Sequence, residues 1–148
     1  MAGFIGTPQM NFIDTLLTKE GDDLYLKVGN ASLKLPKEKA NNPALKEYIG
    51  QTVIMGIRPE SISDDEEAVA QNKDGVMDCT VEVTELMGAE IYLYLSFEGI
   101  EHAIEEGKNV IARVSARSLS RSGDNIKVSF DMSRVHIFDK DTEKCICH

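Results

Sequence analysis

The sequence predicts an all-β fold, a barrel or sandwich of about eight short strands with almost no helix. Three observations carry that prediction. Apolar and polar residues alternate with period two over most of the chain, the signature of strands with one buried face. Short turn signals rich in Gly, Asn and Ser recur between these runs. One segment only carries helix caps.

Taken in order, the chain opens on "MAGFIGTPQMNF", an apolar run, a Thr-Pro turn and the start of a strand. A secretory signal would need early positive charge and a long apolar centre. Here the first lysine is Lys19, and Pro8, Gln9 and Asn11 interrupt the apolar residues. In "LYLKV", Leu24, Leu26 and Val28 share one face and Tyr25 and Lys27 the other. Gly29-Asn30 suits a two-residue hairpin turn, and "ASLKL" returns with Leu33 and Leu35 on its apolar face. "NNPALKEYIG" predicts a short helix, with Asn42 as N-cap, Pro43 at the first position and Gly50 as the stop. "TVIMGI" is a strand that ends at Arg58-Pro59-Glu60, because proline cannot donate to a ladder.

"SDDEEAVAQNKDG" reads as a solvated acidic loop joining two halves. Beyond it, Met77, Cys79, Val81 and Val83 alternate with Asp78, Thr80, Glu82 and Thr84, which puts the first four on a buried face. A turn at Leu86-Met87-Gly88-Ala89, with Gly88 serving the bend, leads to Ile91, Leu93, Leu95 and Phe97. Tyr92 and Tyr94 alternate with these on the solvent side, where paired aromatics mark a contact surface. "NVIARV", "NIKVSF" and "RVHIF" supply three more strands.

Charge and motif content exclude several functions. The 148 residues hold 16 Lys plus Arg against 25 Asp plus Glu, a net charge of −9 that repels nucleic acid. No apolar run is long enough to cross a bilayer as a helix, so a cytoplasmic protein without direct membrane insertion is expected. Neither GxxxxGK[ST] nor GxGxxG occurs, so no nucleotide site is expected, and no cofactor. His102 lies in an acidic stretch, His136 mid-strand pointing away from the core, and His148 at the end, so no catalytic set assembles. Three cysteines are too few for a disulfide framework. In the tail "CICH", Cys145 and Cys147 share a strand face beside His148, but a closed zinc site needs a fourth ligand. A frayed tail with exposed thiols and no metal is the expectation.

"AGFIGTPQMNF", "MGIRPESI" and "RVHIFDKDTEKCI", with "VTELMGAEIYLYL" before the last, resemble in that order the C-terminal region of the ATPase subunits of bacterial maltose- and multiple-sugar-type ABC importers. The resemblance covers essentially the whole chain. It implies an OB-fold-like (TOBE/MOP-like) β-barrel with one short helix. Residues 1–12 would be the remnant of a junction with an upstream ATPase domain, and 13–148 the regulatory domain, its halves 13–62 and 76–148 joined by the acidic loop. ATP and Mg would belong to that upstream domain. The implied role is non-catalytic: tethering two ATPase subunits as a homodimer on the inner face of the membrane, beside the transporter's membrane subunits, and receiving a regulatory protein in some members. Gly56, Arg58, Pro59 and Glu60 resemble the family's RPE phrase, with Arg58 and Glu60 able to pair with each other or across a subunit boundary. His136, Phe138 and Asp139 resemble its closing phrase, with Phe138 expected in the core. Glu143 departs from it, since the family usually has Gly there, which suits a turn with positive φ. Two other classes remain open: a module binding an oxyanion or sugar, and a metal-dependent hydrolase.

Overall fold

Inward-facing aliphatic residues from two antiparallel sheets share one apolar core and wrap it as a nearly closed barrel. The computed structural model describes residues 10–29, 31–97 and 109–147. The first sheet holds β1 (Asn11–Glu20), β2 (Asp23–Val28), β3 (Ala31–Lys34), β4 (Thr52–Ile57), β10 (His136–Asp139) and β11 (Cys145–Cys147). Its order is β11-β10-β4-β1-β2-β3. The second holds β5 (Ile62–Ser63), β6 (Val76–Met87), β7 (Glu90–Ser96), β8 (Val110–Ser115) and β9 (Asn125–Phe130), in the order β5-β9-β6-β7-β8.

The period-two pattern accounts for the core. Ile13, Leu17, Leu26, Leu33, Met55 and Ile57 from one sheet meet Val81, Leu93, Leu95, Val128 and Phe130 from the other, all with at most 1% of their surface exposed. The predicted first hairpin forms, with Val28 opposite Ala31 and Gly29 at φ 57°. Asn30 of that turn lies outside the described residues, as do His102 and His148.

Strand β1 begins at Asn11, and Asn11 and Phe12 pair with Ile57 and Gly56 of β4. Asn11 also closes the molecule. Its Nδ2 donates to Ile57 O at 3.2 Å in β4 and to Ile111 O at 2.9 Å in β8. Its Oδ1 accepts from Ile111 N at 2.9 Å. One side-chain amide thus substitutes for a neighbouring strand at the outer edge of β8.

The helical content departs from expectation. Pro43–Tyr48 is a 3-10 turn; Asn42 caps it, accepting from Ala44 N at 2.9 Å, and Gly50 ends it at φ 84°. A short α1 (Lys37–Ala40) precedes it, unmarked by any sequence cap. The acidic segment is not wholly loop: Asp65 accepts from Glu67 N and starts α2 (Glu66–Gln71), its acidic first turn suiting the helix dipole.

Three burial expectations are corrected. A bulge at Glu82 inserts one residue into β6 against β7, so the alternation changes phase. Val83, expected inside with Met77, Cys79 and Val81, faces out and is 53% exposed. Phe138 is half-buried on the outer face, because its neighbour Ile137 takes the core position. The tail is no frayed end: β11 pairs with β10, Cys147 is buried and Cys145 exposed. The turn before it puts Glu143 at φ 61°, the left-handed conformation that glycine adopts more cheaply.

Candidate functional site

The expected site residues fall into three places. Gly56 and His136 lie together on the outer face of the first sheet, and Asp139 ends β10, opposite Val53 of β4. Gly56 is opposite Phe12 in β1 and His136 in β10. Phe12 and Phe138 meet edge to face with centroids 5.8 Å apart, and His136 lies 6.4 Å from Phe138. A Cβ on Gly56 would come within 2.6 Å of Met10 Sδ and 2.8 Å of Phe138 Cε2, so the missing side chain is what lets these residues close over the strand.

Asp139 organises the final turn. It accepts from Tyr48 Oη at 2.7 Å and from the backbone N–H groups of Asp141 and Thr142 at 2.8 Å each. The tyrosine hydroxyl and these N–H groups hold its carboxyl below the usual range, and the same bond to the carboxylate raises Tyr48.

Arg58, Pro59 and Glu60 sit where β4 leaves its sheet. Pro59 is buried and opens a 3-10 turn that packs on β8, while Arg58 and Glu60 are exposed and no ion pair joins them. Glu60 stands on the wall of a groove of about 1050 Å³ between this turn, the start of α2 and the ends of β8 and β9. Asp64, Asp65, Glu66 and Asp124 add four more carboxylates to its lining. Asp64 accepts from Ser118 Oγ and from Ser120 Oγ, the latter at 2.7 Å. Two of the groove's cations are engaged by carboxylates outside it. Lys127 Nζ is 2.7 Å from Asp78, and Arg113 Nε is 3.0 Å from Glu90, an ion pair outside hydrogen-bond geometry. The groove is therefore net acidic.

Gly88, Tyr92 and Tyr94 lie on the second sheet. Gly88 makes the β6–β7 turn with Ala89 at φ 67°, with Met87 paired to Glu90, so the loop is two residues shorter than the sequence implied. Tyr92 corrects an expectation: on the outer face between Glu85 and Arg113, it is only 7% exposed and presents little contact surface. Tyr94 is half-buried; burial, and then the nearby Glu85 carboxylate, raise its hydroxyl.

Burial pushes the Cys79 thiol up to about 12, which keeps it neutral. Among the described residues no three His, Cys, Asp or Glu side chains gather as for a metal ion. Asn11, Phe12 and the groove carboxylates other than Glu60 escaped sequence reasoning. The one available signal was an Asn on the apolar face of "NFIDTLL".

Known proteins give this geometry a context. The chain is 39% identical to the oligosaccharides import ATP-binding protein MsmX of Bacillus subtilis over 97% of its length. It is 34% identical to both the trehalose/maltose import ATP-binding protein MalK of Thermococcus litoralis and the multiple sugar-binding transport ATP-binding protein MsmK of Streptococcus mutans, over 99%. It spans just over a third of those relatives, 36–37%. A crystal structure of the cytoplasmic molybdate-binding protein ModG matches the fold with a TM-score of 0.58 over 90% of this chain and 96% of that one, at 13% identity. Residues 6–62 match the MalK OB fold domain and residues 55–138 the TOBE domain, so the chain belongs to the TOBE-domain family in the form carried by sugar-importer ATP-binding subunits.

Proposed function

We propose that this chain is the non-catalytic regulatory and dimerising region of the ATP-binding subunit of a sugar-importing ABC transporter. The carrying observation is end-to-end similarity to subunits named for sugar import, confined to about a third of their length. ATP and magnesium would be held by the ATPase domain of the parent subunit. The parent would sit on the cytoplasmic face of the membrane against the transporter's membrane subunits. There the barrel would hold two subunits together while their ATPase domains part, keeping reclosure intramolecular and the effective concentration high. The rigid barrel, with its seam bridged by Asn11, suits a tether that must not unfold under load. A regulatory protein would act by docking on the same barrel.

Sedimentation equilibrium over a wide concentration range tests the tether. A reversible dimer is expected, weakened by Phe12→Ala or Arg58→Ala. A strict monomer at high concentration overturns dimerisation by this region and leaves regulator docking as its role.

The likeness to a molybdate-binding fold supports one second reading, an oxyanion module. The five carboxylates of the groove oppose it, because they repel the ligand. Titration calorimetry with molybdate is expected to show no heat of binding; saturable binding would promote this reading.

A further inference from the structure

The β6–β7 hairpin carries an edge that no described strand covers. Strand β9 pairs with β6 from Val76 to Thr80, and the last bonds on that side join Val81 to Gly123 and Asp124. From Glu82 to Met87 no described residue pairs with β6 on that side, while β7 covers the other. The bulge at Glu82 turns the strand at the point where β9 ends.

Natural sheets protect such edges with charge, proline or short strands. This one carries the exposed carboxylates of Glu82 and Glu85, yet between and beyond them it shows apolar surface: Val83 is 53%, Leu86 70% and Met87 38% exposed. The register with β7 sorts its side chains by face. Val83, Glu85 and Met87 share the outer face with Tyr94, Tyr92 and Glu90, and Thr84 and Leu86 share the inner face with Leu93 and Ile91. The edge therefore displays apolar, carboxylate, apolar on one face and Thr, Leu on the other.

We infer that this edge accepts an extended segment of another protein as an added antiparallel strand, with a Lys or Arg opposite Glu85. Opposite Met87, Leu86, Glu85, Thr84 and Val83, in that order, the added strand reads apolar, apolar, cation, small polar, apolar. Main-chain hydrogen bonds supply affinity and the alternating side chains supply choice. The chain's net charge of −9 favours the same cationic occupant. A second copy fits the edge poorly. Two-fold pairing centred on Glu85 sets it against its own counterpart, and pairing centred on Thr84 sets Val83 against Glu85 and Leu86 against Glu82. Like charges directly opposite destabilise a sheet.

The test is fluorescence anisotropy of the intact chain with a labelled peptide, Val-Leu-Lys-Thr-Val between Gly-Ser flanks. Saturable binding is expected. Replacing the central Lys by Glu weakens it about fivefold or more. Methylating the edge-facing peptide nitrogens weakens it about tenfold or more, because it removes the donors that add a strand. The Glu85→Lys variant prefers the Glu peptide, and Leu86→Lys binds both less; circular dichroism checks that each variant is folded. No binding overturns the inference, as does equal binding of the methylated peptide or an unchanged preference in Glu85→Lys. A dimer that Glu85→Gln strengthens, with no peptide bound, gives the edge to a second copy and also overturns it. The importer dimer does not require this edge, so that proposal and this one fail separately.

Discussion

Among the described residues, β8 and β6 each have an edge that pairs with no strand, β6 only beyond Val81, and the two are treated oppositely. At β8 the Asn11 amide takes both the N–H and the C=O of Ile111 and ties them to β4. At β6 no described residue pairs with the backbone from Glu82 to Met87 on the side away from β7, beside exposed Val83 and Leu86. The closed edge completes a barrel, whereas the open one adds nothing to the core. Stability and recognition are thus assigned to different edges of one sheet.

Breaking the closed edge has the largest expected effect. Asn11→Ala removes three hydrogen bonds and leaves the half-buried Ile111 N–H without its partner, which costs about 1–3 kcal/mol. Urea unfolding followed by circular dichroism reads this as a lower midpoint at unchanged slope. A loss under about 1 kcal/mol would show that packing alone closes the seam.

The outer face beside that seam comes next. Gly56→Ala would push a Cβ to 2.6 Å from Met10 Sδ and 2.8 Å from Phe138 Cε2. Both are ends of side chains that can move, so the cost is about 1–2 kcal/mol, below that of the lost amide clamp. The same urea experiment checks it, and an unchanged midpoint would mean that Met10 simply swings away.

A pH dependence follows from the turn that closes β10 onto β11. Asp139 has a lowered pKa, so its stabilisation is present above the ordinary aspartate range and is lost as pH falls through its folded value. Tyr48 is raised, so its share is present below the ordinary tyrosine range and is lost as pH climbs through its folded value. Thermal melts should decline at both limits. Asp139→Asn should flatten the acid limb, and Tyr48→Phe should flatten the alkaline limb. Wild-type-like limbs in both variants would remove this pair from the account.

What was legible in the sequence divides along the same line. Alternation placed Ile91, Leu93, Leu95 and Phe97 inside correctly, because burial on one face imposes a period of two. It misplaced Val83, because a bulge changes the phase without leaving a residue type that announces it. Gly88 was readable as a turn, since glycine is the inexpensive way to reach positive φ, whereas Glu143 adopts the same conformation at 61° with nothing in its chemistry to mark it. Asn11 was unreadable in role: its partner Ile111 lies 100 residues on, and no local pattern reports such a contact. The phrases resembling the sugar-importer family identified that family over nearly the whole chain, yet residue-level roles depended on which face each strand shows.

The smallest expected effect is the sharpest test of the comparison. Leu86→Lys alters a side chain that is 70% exposed at the open edge and should change stability by no more than about 0.5 kcal/mol. If β6 beyond the bulge were part of the folding unit, a charge opposite Ile91 would instead disturb the apolar end of β7 and lower the urea midpoint as a core substitution does. Hydrogen exchange separates the two cases. Amides of Glu82–Met87 facing away from β7 should exchange rapidly in both proteins, while that of Ile111, held by Asn11, should exchange only on global unfolding. Rapid exchange at Ile111 as well would mean that the two edges differ in geometry alone and not in how the molecule uses them.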